Sequence, residues 1–158
     1  MGIDNTMRAK DAVSASLAQC YITIDGNRYA FMQAVSLEAK FQKTKKEIPI
    51  LGRTGLGNKA VGWKGTGTAK FYYNTSLFRD LMKRFKDTGE DIYFDIQVTN
   101  EDPTSKVGRQ TMILRDCNLN SGILVKFEAG EDTLTEEMDF TFEDFAMVES
   151  FEMLEGMI

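Results

Sequence analysis

Histidine is absent from this chain of 158 residues. Its absence removes the most frequent metal ligand and the usual general base, and with them every Ser-His-Asp or Cys-His arrangement. Zinc chemistry and hydrolysis are left with few residues to carry them. Cysteine occurs twice, at Cys20 and Cys117, far apart and outside any C-x-x-C pair. Both read as small reduced core residues of a cytoplasm-made protein. No run is long and apolar enough to cross a bilayer, and the opening stretch MGIDNTMRAKDAVSAS lacks the apolar segment of a signal peptide. Neither secretion nor a membrane anchor is expected. MGIDNT does fit the M-G-x-x-x-[ST] acylation pattern at Gly2, but so short a pattern arises easily by chance.

Cations are missing from one end only. Residues 128–158 hold 11 carboxylates and no Lys or Arg, residues 71–127 hold 8 groups of each sign, and residues 1–70 hold 11 cations against 5 carboxylates. A net charge of −5 therefore conceals a chain that runs from basic to acidic. Either the acidic end is a solvated tail, or it meets the basic front of another copy, as complementary patches do.

What is present suits a single folded domain over residues 1–158, since 42% of the chain is hydrophobic and 11% aromatic, enough for a sizeable core. The stretch GRTGLGNKAVGWKGTGTAKFYY, residues 52–73, raises the possibility of a phosphate-cradling loop. Gly57 and Gly62 have the P-loop spacing, yet Trp63 stands where the Lys must be; Gly52 and Gly57 also have it, but Asn58 precedes Lys59. The following TAKFYY reads as a strand, so no helix N-terminus completes an anion site. A long, mobile, basic and Gly-rich loop over about residues 43–67, including Pro49, is the expectation instead.

Elsewhere the pattern is mostly strand. CYITIDGNRYAFM is a hairpin around Asp25-Gly26, a pair favoured in tight turns, and its second arm is expected to continue unbroken. Val35, Leu37, Ala39 and Phe41 there alternate with Ser36, Glu38, Lys40 and Gln42. NTSLFRDLMKRFKDTGED is the one good helix, about residues 75–87, with Asn74, Thr75 or Ser76 as cap, Gly89 as stop, and Leu77, Phe78, Leu81, Met82 and Phe85 as its apolar stripe. DIYFDIQVT points Ile92, Phe94, Ile96 and Val98 inward, NEDPTSKVG is a polar loop, RQTMILRDCNL is a strand, and GILVKFEA follows it. In LTEEMDFTFEDF, Leu134, Met138, Phe140 and Phe142 alternate with Thr135, Glu137, Asp139, Thr141 and Glu143. The result is an apolar face and a sharply acidic one, the latter solvated or pore-facing rather than catalytic, since no nucleophile or cation accompanies it. An all-β barrel or sandwich closed by one helix results, with long half-polar strands whose edges invite pairing between copies.

Four ordered blocks carry a more specific signal: LGRTGLGNKAVGWKGTGTAKFYYNTSLF, GEDIYFDIQV, GRQTMILRDCNLNS and EEMDFTFEDF. Together they make the chain resemble the tail tube proteins of contractile phage tails, of the type found in PBSX-like defective prophages and tail-like bacteriocins, from about Val35 to Phe145. The resemblance implies a mainly β, barrel-like sandwich with one flanking α-helix and a long Gly-rich inter-subunit loop. It implies a structural subunit with no enzymatic activity, cofactor or metal. Hexameric rings of it would self-assemble, stack helically and form the rigid inner tube of a virion or phage-like particle, built in the bacterial host cytoplasm and driven through a target envelope. Its partners would be further copies, the tail sheath protein, a tape measure protein in the lumen, and baseplate and tail terminator proteins. DNA would be only passing cargo, since a negative lining lets it slide without sticking.

On that reading Arg53, Lys59 and Lys64 offer cations to a neighbour's acidic surface of Glu136, Glu137, Asp139 and Glu143. Trp63 is the buried anchor, and Gly57 and Gly62 let the backbone lie close against another chain. The alternative is an OB-like single-stranded nucleic-acid-binding module that stacks bases on Trp63, Phe71, Tyr72 and Tyr73 over the basic loop. Steep loss of affinity with salt would distinguish it.

Overall fold

The computed structural model describes residues 6–157, so the acylation pattern at Gly2 lies outside the described residues. In chain order the elements are a 3-10 turn at Ala9–Asp11, β1 Ala18–Ile24, β2 Asn27–Ala30, β3 Ala34–Ile48, β4 Gly57–Tyr72 and α1 Leu77–Thr88, followed by β5 Phe94–Glu101, β6 Arg109–Ser121, β7 Thr135–Phe142 and β8 Asp144–Glu149. Among the described residues, 51% strand against 10% helix makes this the mainly β protein with one α-helix that the alternating apolar positions imply. It divides into two compact units, with β6 contributing Arg109–Arg115 to one and Asp116–Ser121 to the other.

The first unit holds β1, β2, β5, the opening half of β6, and nearly all of β8, in the order β2-β1-β5-β6 with β8 also on β6. Its hairpin turns at Asp25 (φ 52°) and Gly26 (φ 79°), both left-handed, as a two-residue turn matched to strand twist requires. Ile22 and Ile96 face each other across β1 and β5 and are fully buried, with Ile24, Phe31, Phe94 and Leu114 in the same core. The second arm does not continue into the next strand, as the sequence suggested. Phe31 donates its N–H to the Cys20 carbonyl at 2.8 Å, and Met32 turns back to the Ala30 carbonyl at 2.9 Å. Burial of the Phe31 ring and this three-residue turn end β2 before the alternation resumes. The polar loop after β5 is held by two buried carboxylates: Asp102 accepts from the Ser14 and Thr104 amides, and Asp11 from the Lys106 amide.

The second unit has the order β6-β7-β4-β3, with α1 inserted between β4 and β5 in sequence. Here the expected loop over residues 43–67 is overturned. β3 and β4 pair continuously, apart from two bulges, from Ala34↔Phe71 to Ile48↔Gly57, so only residues 49–56 form a connection. The glycines misled because most of them sit in extended backbone; between residues 49 and 67 only Gly52 has a left-handed φ, +84°. Around them Thr44, Val61, Trp63, Thr66 and Thr68 supply the β-branched and aromatic residues that strands favour.

Helix α1 begins just after Ser76, but Thr75 provides the cap, its hydroxyl accepting from the Leu77 amide at 3.3 Å. Gly89 (φ 74°) ends it by donating to the Phe85 carbonyl at 2.8 Å. Phe78 and Leu81 are buried, and the Phe78 ring lies 5.2 Å from that of Phe71. GILVKFEA and the residues up to Leu134 form no strand.

Candidate assembly surface

The register of β4 with β7 begins at Gly65↔Phe142, so residues 57–64 extend beyond β7 as a two-stranded ribbon with β3. An isolated two-stranded ribbon is marginal in water, and this one is fastened at its base. Trp63 stacks on Phe41 with ring centroids 4.8 Å apart and lies 6.1 Å from Phe142. Trp63 is therefore part of its own subunit's packing, with 37% of its surface exposed rather than the whole ring awaiting a neighbour.

The glycines expected to approach another chain behave differently. Gly62 faces open space, and a side chain at Gly57 would meet the side chains of Ile50 and Ile48 of its own subunit. Close approach instead occurs at two positions the sequence reading passed over. A β-carbon on Gly65 would lie 2.4 Å from the Phe142 ring, and one on Gly67 would lie 2.3 Å from the Phe140 ring. These are directly opposed cross-strand pairs, glycine under aromatic. The cue was available in the alternation Gly65, Gly67, Ala69 against Met138, Phe140, Phe142: small residues on one strand, large on the next.

The cations Arg53, Lys59 and Lys64 are all exposed on the ribbon, with Lys59 opposite Lys46 and Lys64 opposite Gln42. Among the carboxylates, Glu137, Asp139 and Glu143 are exposed, but Glu136 is not. It is 3% exposed, in the inward row with Met138, Phe140 and Phe142. Both its carboxylate oxygens accept from Arg79 Nη1 at 3.0 Å. Arg79 also donates to the carbonyls of Ile123 and Thr75 and lies over the Tyr73 ring at 4.4 Å. Glu136 is thus withdrawn from the inter-subunit contacts assigned to it, because an inward strand position puts a carboxylate in the core, where a partner cation must meet it.

The outward face of this sheet is not uniformly acidic either. Glu137 pairs in register with Lys70, and Asp139 with Thr68, whose hydroxyl donates to it at 2.9 Å. Lys40 and Lys64 share the face with Glu38, 3.3 Å from Lys40. The rings of the nucleic-acid alternative do not share one open platform: Phe71 is fully buried, Tyr73 lies beneath Arg79 and Trp63 is stacked on Phe41, while Tyr72 is 43% exposed. Of the cysteines, Cys117 is buried and Cys20 partly so; burial pushes the Cys20 thiol up to about 11, leaving it protonated and unreactive near neutrality.

Comparison with known proteins gives the family to which these features belong. Residues 5–149 match the family model described as phage tail tube protein. The phage-like element PBSX protein XkdM of Bacillus subtilis (strain 168) is 35% identical over 143 residues, covering 90% of this chain and 95% of that protein. At the level of fold, a chain of the anti-feeding prophage baseplate superposes with a TM-score of 0.65 at 11% identity, over 93% of this chain and 98% of that one. A chain of the sheath-tube complex of the extracellular contractile injection system PVC, in its extended state, gives 0.64 at 12% identity, over 90% and 94%. A family match over nearly the whole chain, a relative of this closeness and a shared fold lead to one conclusion: the chain belongs to the phage tail tube protein family.

Proposed function

We propose that this chain is the self-assembling subunit of the inner tube of a contractile phage tail or tail-like particle, in which hexameric rings stack helically into a rigid conduit. The observation that carries the proposal, within this family, is the β3–β4 ribbon. It extends past its last neighbouring strand and exposes cations and apolar side chains that the subunit itself leaves uncovered. Such a ribbon suits a heterologous contact, which closes into a ring when its rotation permits and propagates when rings stack. The sheath protein would surround the tube, a tape measure protein would occupy the lumen, and baseplate and terminator proteins would sit at its ends. DNA would be transient cargo, and assembly would take place in the host cytoplasm. Trp63 fixes the ribbon's base, Arg53, Lys59 and Lys64 supply its charge, and Glu137, Asp139 and Glu143 are the carboxylates available to a neighbour. Sedimentation velocity over a wide range of concentration and salt tests this. Species of six subunits and larger polymers are expected; a monomer throughout, with no polymer even when tail baseplates are supplied as template, overturns it.

A further inference from the structure

Between β6 and β7 the chain presents Leu124, Val125 and Phe127 to solvent, 65%, 80% and 88% exposed. Three large apolar side chains so close in sequence and so open are uncommon on a surface that nothing covers. Their presentation is built in. Arg79 holds the segment at one end by donating to the Ile123 carbonyl at 3.2 Å, and Lys126 folds back to donate to the Thr135 carbonyl at 2.7 Å. With Lys126 turned inward, its three apolar neighbours point out. The exposed charges that follow, Glu128, Glu131 and Asp132, are all negative.

The turn of the β3–β4 ribbon has a similar composition with the charge excess reversed. Leu51 and Leu56 are 103% and 56% exposed, and residues 45–59 expose the cations Lys45, Lys46, Arg53 and Lys59 against one carboxylate, Glu47. We propose that residues 124–132 of one copy receive the ribbon turn, residues 45–59, of a second copy: Leu51 and Leu56 meet Leu124, Val125 and Phe127, and the lysines meet the carboxylates. Apolar contact supplies the area, and the opposed charge fixes register and disfavours ribbon-to-ribbon pairing. Because the two surfaces differ, the contact is head-to-tail and leaves one of each free for the next copy. This inference rests on the self-assembly proposed above and names the surface that ribbon would meet.

The test uses the full chain with a photoreactive p-benzoylphenylalanine at position 127, mixed with isotopically labelled unmodified chain and assembled into polymer. Illumination is expected to join position 127 to residues 45–59 of the other isotopic species. A parallel test needs no probe: Lys45→Glu with Lys46→Glu should raise the concentration needed for assembly at least tenfold. Adding Glu131→Lys and Asp132→Lys to the same chain should restore it. Polymer that forms but cross-links elsewhere, or a charge reversal that the compensating pair does not rescue, overturns this contact while leaving self-assembly intact. An unmodified chain that never assembles removes the reading beneath it, and this contact with it.

Discussion

The Phe140 ring lies across the backbone of Gly67, so close that a β-carbon there would sit 2.3 Å from the ring. Phe140 is fully buried and cannot swing away. Gly67→Ala is therefore expected to destabilise the subunit by about 1–3 kcal/mol through overpacking. Gly62→Ala, which meets nothing within 4 Å, should be neutral or stabilising by about 0.5 kcal/mol. Denaturant midpoints of the two variants check this, and equal effects at both sites would contradict it.

The Arg79–Glu136 pair should behave as a buried one. Glu136 is 3% exposed, and Arg79 also satisfies two carbonyls, so Arg79→Ala leaves a carboxylate without its partner and is expected to cost about 3–5 kcal/mol. Replacing both, as Arg79→Met with Glu136→Leu, should recover a large part of that loss. A double substitution as damaging as the single one would show that the cost lies in the lost packing of Arg79 rather than in the stranded charge.

Trp63→Ala removes the stack on Phe41. An aromatic pair contributes about 0.5–1.5 kcal/mol beyond its burial, and Trp63 is 37% exposed, so the variant should fold and keep its β-rich circular dichroism. Amide exchange in residues 57–64 should accelerate, and polymer should fail to form. Unfolding of the whole subunit would place Trp63 in the core proper; normal polymerisation would remove the ribbon from the joint.

Cys20 gives a pH dependence of known sign. Its folded thiol is pushed up to about 11 by burial from an ordinary 9.0. Above pH 9 the unfolded chain releases a proton that the folded chain retains, so this contribution to stability is complete below pH 9 and is lost as pH rises toward 11. Cys20→Ala should flatten that part of the stability profile. An unchanged slope between pH 9 and 11 would assign the loss to other groups.

Alternation made the strands, the Asp25-Gly26 turn and the single helix legible from the residues alone. The ribbon was not legible, because glycine density reads as loop while strand pairing depends on a partner far away in sequence: Gly65 and Gly67 are strand residues because Phe142 and Phe140 lie opposite them. Glu136 was misplaced for a related reason. Its parity with Met138 pointed inward, but the cation that makes burial tolerable, Arg79, lies 57 residues earlier. Arg53, Lys59 and Lys64 are exposed, as their charge alone implies, since charge needs no partner to be seen. The apolar segment at residues 124–127 carries no pattern that reveals its exposure, because whether such a run is covered depends on what packs against it in three dimensions.

Cryo-electron microscopy of the assembled protein tests the central claim most directly. The account expects stacked rings of six subunits, with the β3–β4 ribbon of each copy buried against another. Discrete monomers under every assembly condition, or an ordered polymer in which the ribbon from Gly57 to Lys64 remains in solvent, would contradict it.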